Sequence, residues 1–205
     1  MMDDKITVHN TQKVFRLILQ SMAYAGRPVQ IPDEVISLYT NSLLFPATME
    51  VLKTLLDINT GFYCGMDDMH TIQEIQILTS AHREIPEAAD FVIIPGDIPL
   101  DAMENAPRIM EQAKIGTIYD PHASATILIE CASVSHGTVY RCEGPGIDNN
   151  IQITIDCAWD WAAIRRLKNV EFPLGIDCIF IDSAARVLSL PRTTRVTKQI
   201  LNEVA

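Results

Sequence analysis

The chain has 205 residues, of which 48% are hydrophobic and 20% are charged, and its formal net charge is -10 with a sequence pI near 4.8. This length suits one compact domain, and the composition excludes a chain that stays disordered for want of apolar residues. Because nucleic-acid binding draws on lysine and arginine contacts to phosphates, the acidic balance argues against DNA or RNA as a partner.

Residues 1–5 lack a basic segment followed by an apolar one, and no apolar run reaches the length that crosses a bilayer. We therefore expect a cytoplasmic protein with no membrane contact. The cysteines are odd in number and scattered, which favours reduced, buried thiols over a disulfide framework. They are Cys64, Cys131, Cys142, Cys157 and Cys178.

Apolar residues at helical spacing predict five helices along the chain. The first covers about residues 11–22 and ends before Gly26 and Pro28, and the second begins near Pro46 and stops by Gly61. Three further segments share the periodicity. They are marked by Ile72, Ile75 and Leu78, by residues 100–113 with a possible kink at Pro107 and a stop at Gly116, and by Trp161, Ile164 and Leu167.

Short β-branched or alternating segments predict the strands. They cover residues 62–64, 91–94, 126–129, 138–141, 151–155, 176–181 and 187–190. A hairpin turn is predicted at residues 135–137, which would let Cys131 and Cys142 face each other. This mixture of helices and hairpins favours an α/β fold, with a mixed sheet flanked by helices, in a single domain over residues 1–205.

The sequence shows no spacing typical of a metal, nucleophile or phosphate motif. Its cysteines are too far apart for one zinc or iron-sulfur loop, and its histidines form no His-x-x-x-His pair, so no metal is expected. Asp67, Asp68 and His70 could hold a cation, although a solvated turn is the favoured interpretation. The Gly-Pro-Gly at residues 144–146 is interpreted as a tight turn.

The most distinctive segment follows the last predicted strand, where Arg192 and Arg195 flank Thr193 and Thr194. These guanidinium and hydroxyl donors could seat an oxyanion. Alternatively, Asp177 could pair with one of the arginines, and the residues leave both interpretations open. A strand-like continuation would place the two arginines on opposite faces, which predicts one role inside the fold and one toward a partner or anionic ligand.

This segment, together with Phe-Pro-Leu-Gly-Ile-Asp at residues 172–177, resembles the C-terminal signature of the phosphonate-metabolism protein H family, the H subunit of carbon-phosphorus lyase. Other blocks agree in order along nearly the whole chain. They are Thr11-Gln12 with Phe15-Arg16, Leu55-Leu56-Asp57, Ala89-Asp90-Phe91, residues 124–128 and residues 144–147.

The resemblance implies a fold similar to that of pyridoxal-phosphate-dependent transferases, but without the cofactor. It also implies homodimers that join subunits G, I and J in a complex that couples a phosphonate to the ribose of ATP with loss of adenine. It supplies no catalytic residue. The candidate ligand- or partner-binding residues are Arg192, Thr193, Thr194, Arg195, Asp177 and Arg16.

The sequence bears on two other functions. A stand-alone phosphonate- or nucleotide-binding protein is the alternative, with Arg192 and Arg195 as its anion contacts. An autonomous pyridoxal-phosphate enzyme is disfavoured, because no lysine follows a strand in a context suited to a Schiff base.

The chain departs from the family at the turn after the first helix. Members commonly carry Arg-Pro-Gly there, whereas this sequence has Tyr-Ala-Gly-Arg-Pro at residues 24–28, so Arg27 only partly replaces the missing arginine. After Val196 a short helical tail is expected.

Overall fold

The computed structural model describes residues 2–39, 42–96 and 105–199, with side chains from Val8 onward. The helices are α1 Met2–Ala23, α2 Pro46–Leu55, α3 Met69–Thr79, α4 Ala106–Gln112 and α5 Trp161–Lys168, with a short 3-10 helix at Asp33–Val35. The strands are β1 Val29–Gln30, β2 Gly61–Cys64, β3 His82–Arg83, β4 Phe91–Ile94, β5 Thr126–Cys131, β6 Ser133–Glu143, β7 Ile151–Asp156, β8 Asp177–Asp182, β9 Arg186–Leu190 and β10 Arg195–Lys198. Within the described ranges, no helix has both the length and the apolar character that crossing a bilayer requires.

A seven-stranded mixed sheet forms the centre of the fold, in the order β1-β9-β8-β5-β4-β2-β3. Strands β3, β2, β4, β5 and β8 run parallel, whereas β9 is antiparallel to β8 and β1. This arrangement confirms the predicted α/β fold with a mixed sheet flanked by helices. Its similarity to pyridoxal-phosphate-dependent transferases stays a prediction.

Helices cover both faces of the main sheet and divide the apolar core into two clusters. Helices α1, α2 and α3 pack on one face, and α4 and α5 pack on the other. The side chains of β4 show the division, because Ile93 joins the first cluster while Val92 and Ile94 join the second. A strand buried on both faces needs apolar residues at successive positions, which explains the unbroken apolar sequence of β4.

A smaller antiparallel sheet, in the order β10-β6-β7, packs on the face that carries α5. Trp161 opens α5 and joins the two sheets. Its ring centroid lies 4.8 Å from that of Tyr140 on β6 and 4.6 Å from that of Phe180 on β8. Asp160 caps the helix, because its side chain accepts a hydrogen bond from the backbone N–H of Ala163 at 3.3 Å.

Two predicted helix boundaries need correction. Helix α1 begins at Met2 and not at Thr11, because no proline or glycine interrupts residues 2–10 and the chain stays helical through the predicted cap. Helix α4 begins at Ala106, with Pro107 in its first turn, where a proline costs no hydrogen bond, so the predicted kink is wrong. The predicted beginning of this helix near residue 100 lies outside the described residues.

The predicted hairpin turn at residues 135–137 is wrong. These residues lie within the single strand β6, whose pairing with β7 shifts in register between Ser133 and Thr138. Gly137 has φ 115°, and a Cβ there would lie 2.6 Å from the backbone nitrogen of Asp156. The glycine therefore marks a bulge where β7 approaches closely, and not a turn.

The predicted contact between Cys131 and Cys142 fails for the same reason. Cys131 on β5 aligns with Asp182 of β8 in the main sheet, whereas Cys142 on β6 aligns with Ile151 of β7 in the smaller sheet. The cysteines are free thiols, as expected.

We predict that Trp161→Ala lowers the free energy of unfolding by about 3–5 kcal/mol, because it leaves a cavity between the two sheets. Urea denaturation at constant pH measures the change. Leu167→Ala on the same helix is the matched control. Since Leu167 is 69% exposed, this substitution should change the free energy of unfolding by less than about 0.5 kcal/mol. Equal unfolding midpoints for the two variants would contradict the linking role of Trp161.

Candidate functional site

Strands β2 and β4 are parallel neighbours, but the chain leaves them toward opposite faces of the sheet. After β2 it enters α3 on one face, and after β4 it reaches α4 on the other. Such a switch in direction opens a crevice at the carboxyl ends of the strands, and this is where open α/β sheets bind ligands.

The crevice holds a cavity of about 690 Å³, a volume in the usual range for small-molecule sites. We call it the switch-point cleft. The end of β2 and the segment after it, the strand β3 and α4 supply its lining, which includes Tyr63, Cys64, Asp67, Asp68, Arg83 and Arg108.

Gly65 allows the walls of the cleft to approach each other. Its backbone N–H donates to the carbonyl of Ile93 at 2.8 Å, which ties the exit of β2 to β4. A Cβ at this position would lie 3.2 Å from the same carbonyl oxygen and 3.1 Å from Cδ1 of Ile109 on α4. A larger residue would therefore press α4 away from the strand.

Two arginines and two aspartates set the charge of the cleft. Arg83 Nη2 lies 3.4 Å from Oδ1 of Asp67, whose side chain is 89% exposed, so this ion pair is weak. Asp68 caps α3, because Oδ2 accepts hydrogen bonds from the Thr71 hydroxyl at 2.6 Å and from its backbone N–H at 2.8 Å, and these bonds lower the pKa of Asp68. Arg108 is exposed and forms no hydrogen bond or ion pair within the described part of the chain.

The other titratable groups of the cleft suit binding better than covalent chemistry. Burial raises the pKa of the Cys64 thiol to about 12 and also raises the pKa of the Tyr63 hydroxyl, so both stay protonated at neutral pH. Among the residues that the structure describes, no three histidine, cysteine or acidic side chains form a group that could hold a metal ion.

Asp177 and Arg192 lie at the amino ends of the parallel strands, opposite the cleft, where β8 begins. The backbone N–H of Arg192 donates to Asp177 Oδ1 at 2.6 Å, and its guanidinium forms an ion pair with the same carboxylate. Nη1 also donates to the carbonyl of Pro121 at 2.6 Å. The prediction that one arginine pairs with Asp177 inside the fold is thus confirmed for Arg192.

The chain between β9 and β10 is a turn, so the predicted strand-like alternation is wrong. The N–H of Thr194 donates to the carbonyl of Pro191 at 2.8 Å, and β10 begins at Arg195. Pro191 cannot donate to a strand ladder, which favours the turn. The expected helical tail is also wrong as far as Lys198, which belongs to β10, and residues 200–205 lie outside the described residues.

The structure does not gather the predicted site residues around one cavity. Thr194 is buried, Thr193 and Arg195 are exposed in and after the turn, and Arg16 is exposed on α1. Binding of a ligand or partner by any of these residues stays a prediction.

A family model of the bacterial phosphonate metabolism protein (PhnH) matches residues 3–197. The chain belongs to this family. HtxG of Stutzerimonas stutzeri, named as a C-P lyase subunit protein, is 31% identical over 190 residues, which cover 90% of this chain and 85% of HtxG. The PhnH subunit of alpha-D-ribose 1-methylphosphonate 5-triphosphate synthase from Rhizobium meliloti (strain 1021) is 35% identical over 94 residues, 43% of this chain and 44% of that protein. The family resemblance stated from the sequence is therefore confirmed.

A residue that sequence reasoning missed holds the C-terminal block by which the PhnH family was recognised. Arg165 on α5 is 2% exposed, and it donates from Nη1 to the carbonyl of Thr194 at 2.9 Å and from Nη2 to that of Pro191 at 2.6 Å. Backbone carbonyls thus stabilise its buried charge. The available signal was its position one helical turn after the buried Trp161.

The turn after α1, at residues 24–28, has a contact between two of its own side chains. The guanidinium carbon of Arg27 lies 5.7 Å from the ring centroid of Tyr24, which is a cation–π distance. Both side chains are exposed. Arg27 is therefore placed on the ring of Tyr24.

We predict that Arg192→Ala lowers the free energy of unfolding by about 3 kcal/mol, because it leaves the carboxylate of Asp177 without its counter-ion. The side chains of both residues are only 18% exposed. Arg195→Ala is the matched control and should change the stability by less than about 0.5 kcal/mol. Urea denaturation of both variants measures the difference, and a loss below about 1 kcal/mol for Arg192→Ala would mean that the pair behaves like a surface ion pair.

Proposed function

We propose that this protein acts as a subunit of the C-P lyase core complex, in the step that couples a phosphonate to the ribose of ATP with release of adenine. The match to the PhnH family over residues 3–197 carries this proposal. One relative is named as a C-P lyase subunit, and another as a subunit of alpha-D-ribose 1-methylphosphonate 5-triphosphate synthase. The product in that name is a ribose that bears both a phosphonate and a triphosphate.

The partners in this proposal are subunits G, I and J, with ATP and the alkylphosphonate bound through the complex in the cytoplasm. A fold like that of pyridoxal-phosphate-dependent transferases, without the cofactor, belongs to the same proposal. So does a single domain over residues 1–205. The apolar cluster that the two sheets share supports the single domain.

An exposed apolar stripe on α1 supports a further part of the proposal, that two copies of the chain associate. Val8, Phe15 and Leu19 are 69%, 50% and 58% exposed, and their spacing of seven and four residues places them on one face of the helix. Contiguous apolar surface of this kind marks protein interfaces. A two-fold axis brings the same stripe from both copies together, so one stripe is sufficient for a homodimer.

We predict that the purified chain has the mass of a dimer at micromolar concentration, and that the double variant Phe15→Ser, Leu19→Ser has the mass of a monomer. Light scattering coupled to size-exclusion chromatography measures both masses. Ile77→Ser on α3 is the control, because Ile77 is 81% exposed but belongs to a different helix from the stripe. A dimer that survives the double substitution would place the interface elsewhere, and a monomeric parent would contradict the homodimer.

We predict that the tagged chain retains subunits G, I and J when the four are expressed together, and that the chain alone neither consumes ATP nor releases adenine in the presence of methylphosphonate. Mass spectrometry of the bound proteins and chromatography of the nucleotides provide the measurements. Turnover by the chain alone would contradict the subunit role. Binding of ATP by a chain that retains none of these subunits would favour the alternative, a stand-alone phosphonate- or nucleotide-binding protein.

A further inference from the structure

The switch-point cleft contains an arginine whose binding capacity the protein does not use. Arg108 lies in the lining, is exposed, and has no partner within the described part of the chain. A guanidinium offers five N–H donors in a planar fork that matches the oxygens of a phosphate. Arg83 lines the same cavity and is held by the weak pair with Asp67 and by a 4.0 Å contact from Nη1 to the Met69 sulfur, a weak acceptor, so a second guanidinium can turn toward an anion there.

The carboxylates of the cleft narrow the class of ligand. A bare anion is repelled by Asp67 and Asp68, which line the same cavity as the two arginines. Asp68 is engaged by Thr71, whereas Asp67 is 89% exposed, has only the weak pair of Oδ1 with Arg83, and can still accept hydrogen bonds from hydroxyl groups. A ligand with an anionic group at one end and hydroxyl donors at the other would satisfy both kinds of side chain.

We propose that the switch-point cleft binds a small phosphorylated polyol, with the phosphate on Arg108 and Arg83 and a hydroxyl group on Asp67. A volume of about 690 Å³ accommodates a sugar phosphate. Its position where β2 and β4 diverge is the one at which this class of sheet binds ligands. The choice of ribose as the polyol rests on the proposed function, whereas the phosphate contact rests on the cleft alone.

Isothermal titration calorimetry of the full-length chain with ribose 5-phosphate, ribose and inorganic phosphate tests the proposal. Ribose 5-phosphate should bind at least tenfold more tightly than either of the other two. Arg108→Gln should weaken the binding of ribose 5-phosphate at least tenfold, because the charge-assisted bonds to the phosphate are lost. Arg166→Gln is the matched control, since Arg166 is an exposed arginine on α5 that lies outside the cleft, and it should leave the affinity unchanged.

Asp67→Asn tests the contact with the hydroxyl group separately from the contact with the phosphate. It should reduce the preference for ribose 5-phosphate over inorganic phosphate, because the amide oxygen is a weaker acceptor for the hydroxyl than the carboxylate, while the repulsion is relieved for both anions. Circular dichroism spectra and unfolding midpoints like those of the parent establish that the variants are folded. Equal affinities of the parent and Arg108→Gln, or no binding of ribose 5-phosphate at millimolar concentration, would overturn the proposal.

The result is independent of the test of the subunit role. If G, I and J are retained but ribose 5-phosphate does not bind, the cleft proposal fails and the subunit role stands. If ribose 5-phosphate binds through Arg108 but no subunit is retained, the binding site stands and the proposed function fails.

Discussion

The parallel strands at the centre of this protein are stable only while helices cover both of their faces, because their side chains are apolar on both sides. The chain must therefore send successive connections to different faces. It does so at β2 and β4, where α3 packs on one face and α4 on the other. The cleft between them is a direct consequence of this requirement, and Gly65 allows its walls to stay close.

The arginines at the two ends of the parallel strands have different roles. At the amino ends, Arg192 binds Asp177 and the carbonyl of Pro121, and Arg165 is buried against backbone carbonyls. Their donors therefore hold the chain in place. At the carboxyl ends, Arg83 and Arg108 line a cavity. Arg83 has a weak partner, and Arg108 has none among the described residues. The C-terminal block that resembles the PhnH family signature thus belongs to the part of the structure that fixes the fold, while the guanidinium groups of the cleft lie at the carboxyl ends of the parallel strands.

Local patterns predicted most of the secondary structure. Helix α2 begins at Pro46 and buries Met49 and Leu52, as its periodicity indicated, because these features depend on neighbouring residues. The failure at Gly137 has a different cause. A glycine with positive φ suits both a turn and a bulge, and the choice depends on the approach of Asp156 from the next strand, which is a tertiary contact.

The candidate site was predictable only in part for the same reason. Opposite charges near a strand end suggested the pair of Asp177 with an arginine, and the structure forms it with Arg192. The cleft could not be predicted from the sequence, because Arg83 and Arg108 are distant along the chain and only the sheet brings them together. The sequence indicated Asp67 and Asp68 as a pair of carboxylates, but the topology places them in the same cavity as the two arginines.

The net charge of -10 does not prevent such a cavity from holding an anion. At physiological ionic strength the Debye length is about 8 Å, so carboxylates on distant parts of the surface are largely screened. A guanidinium within the cleft acts on a bound phosphate at contact distance, where screening is small. The acidic surface therefore lowers the rate at which anions arrive, whereas Arg83, Arg108 and Asp67 determine which ligands remain bound.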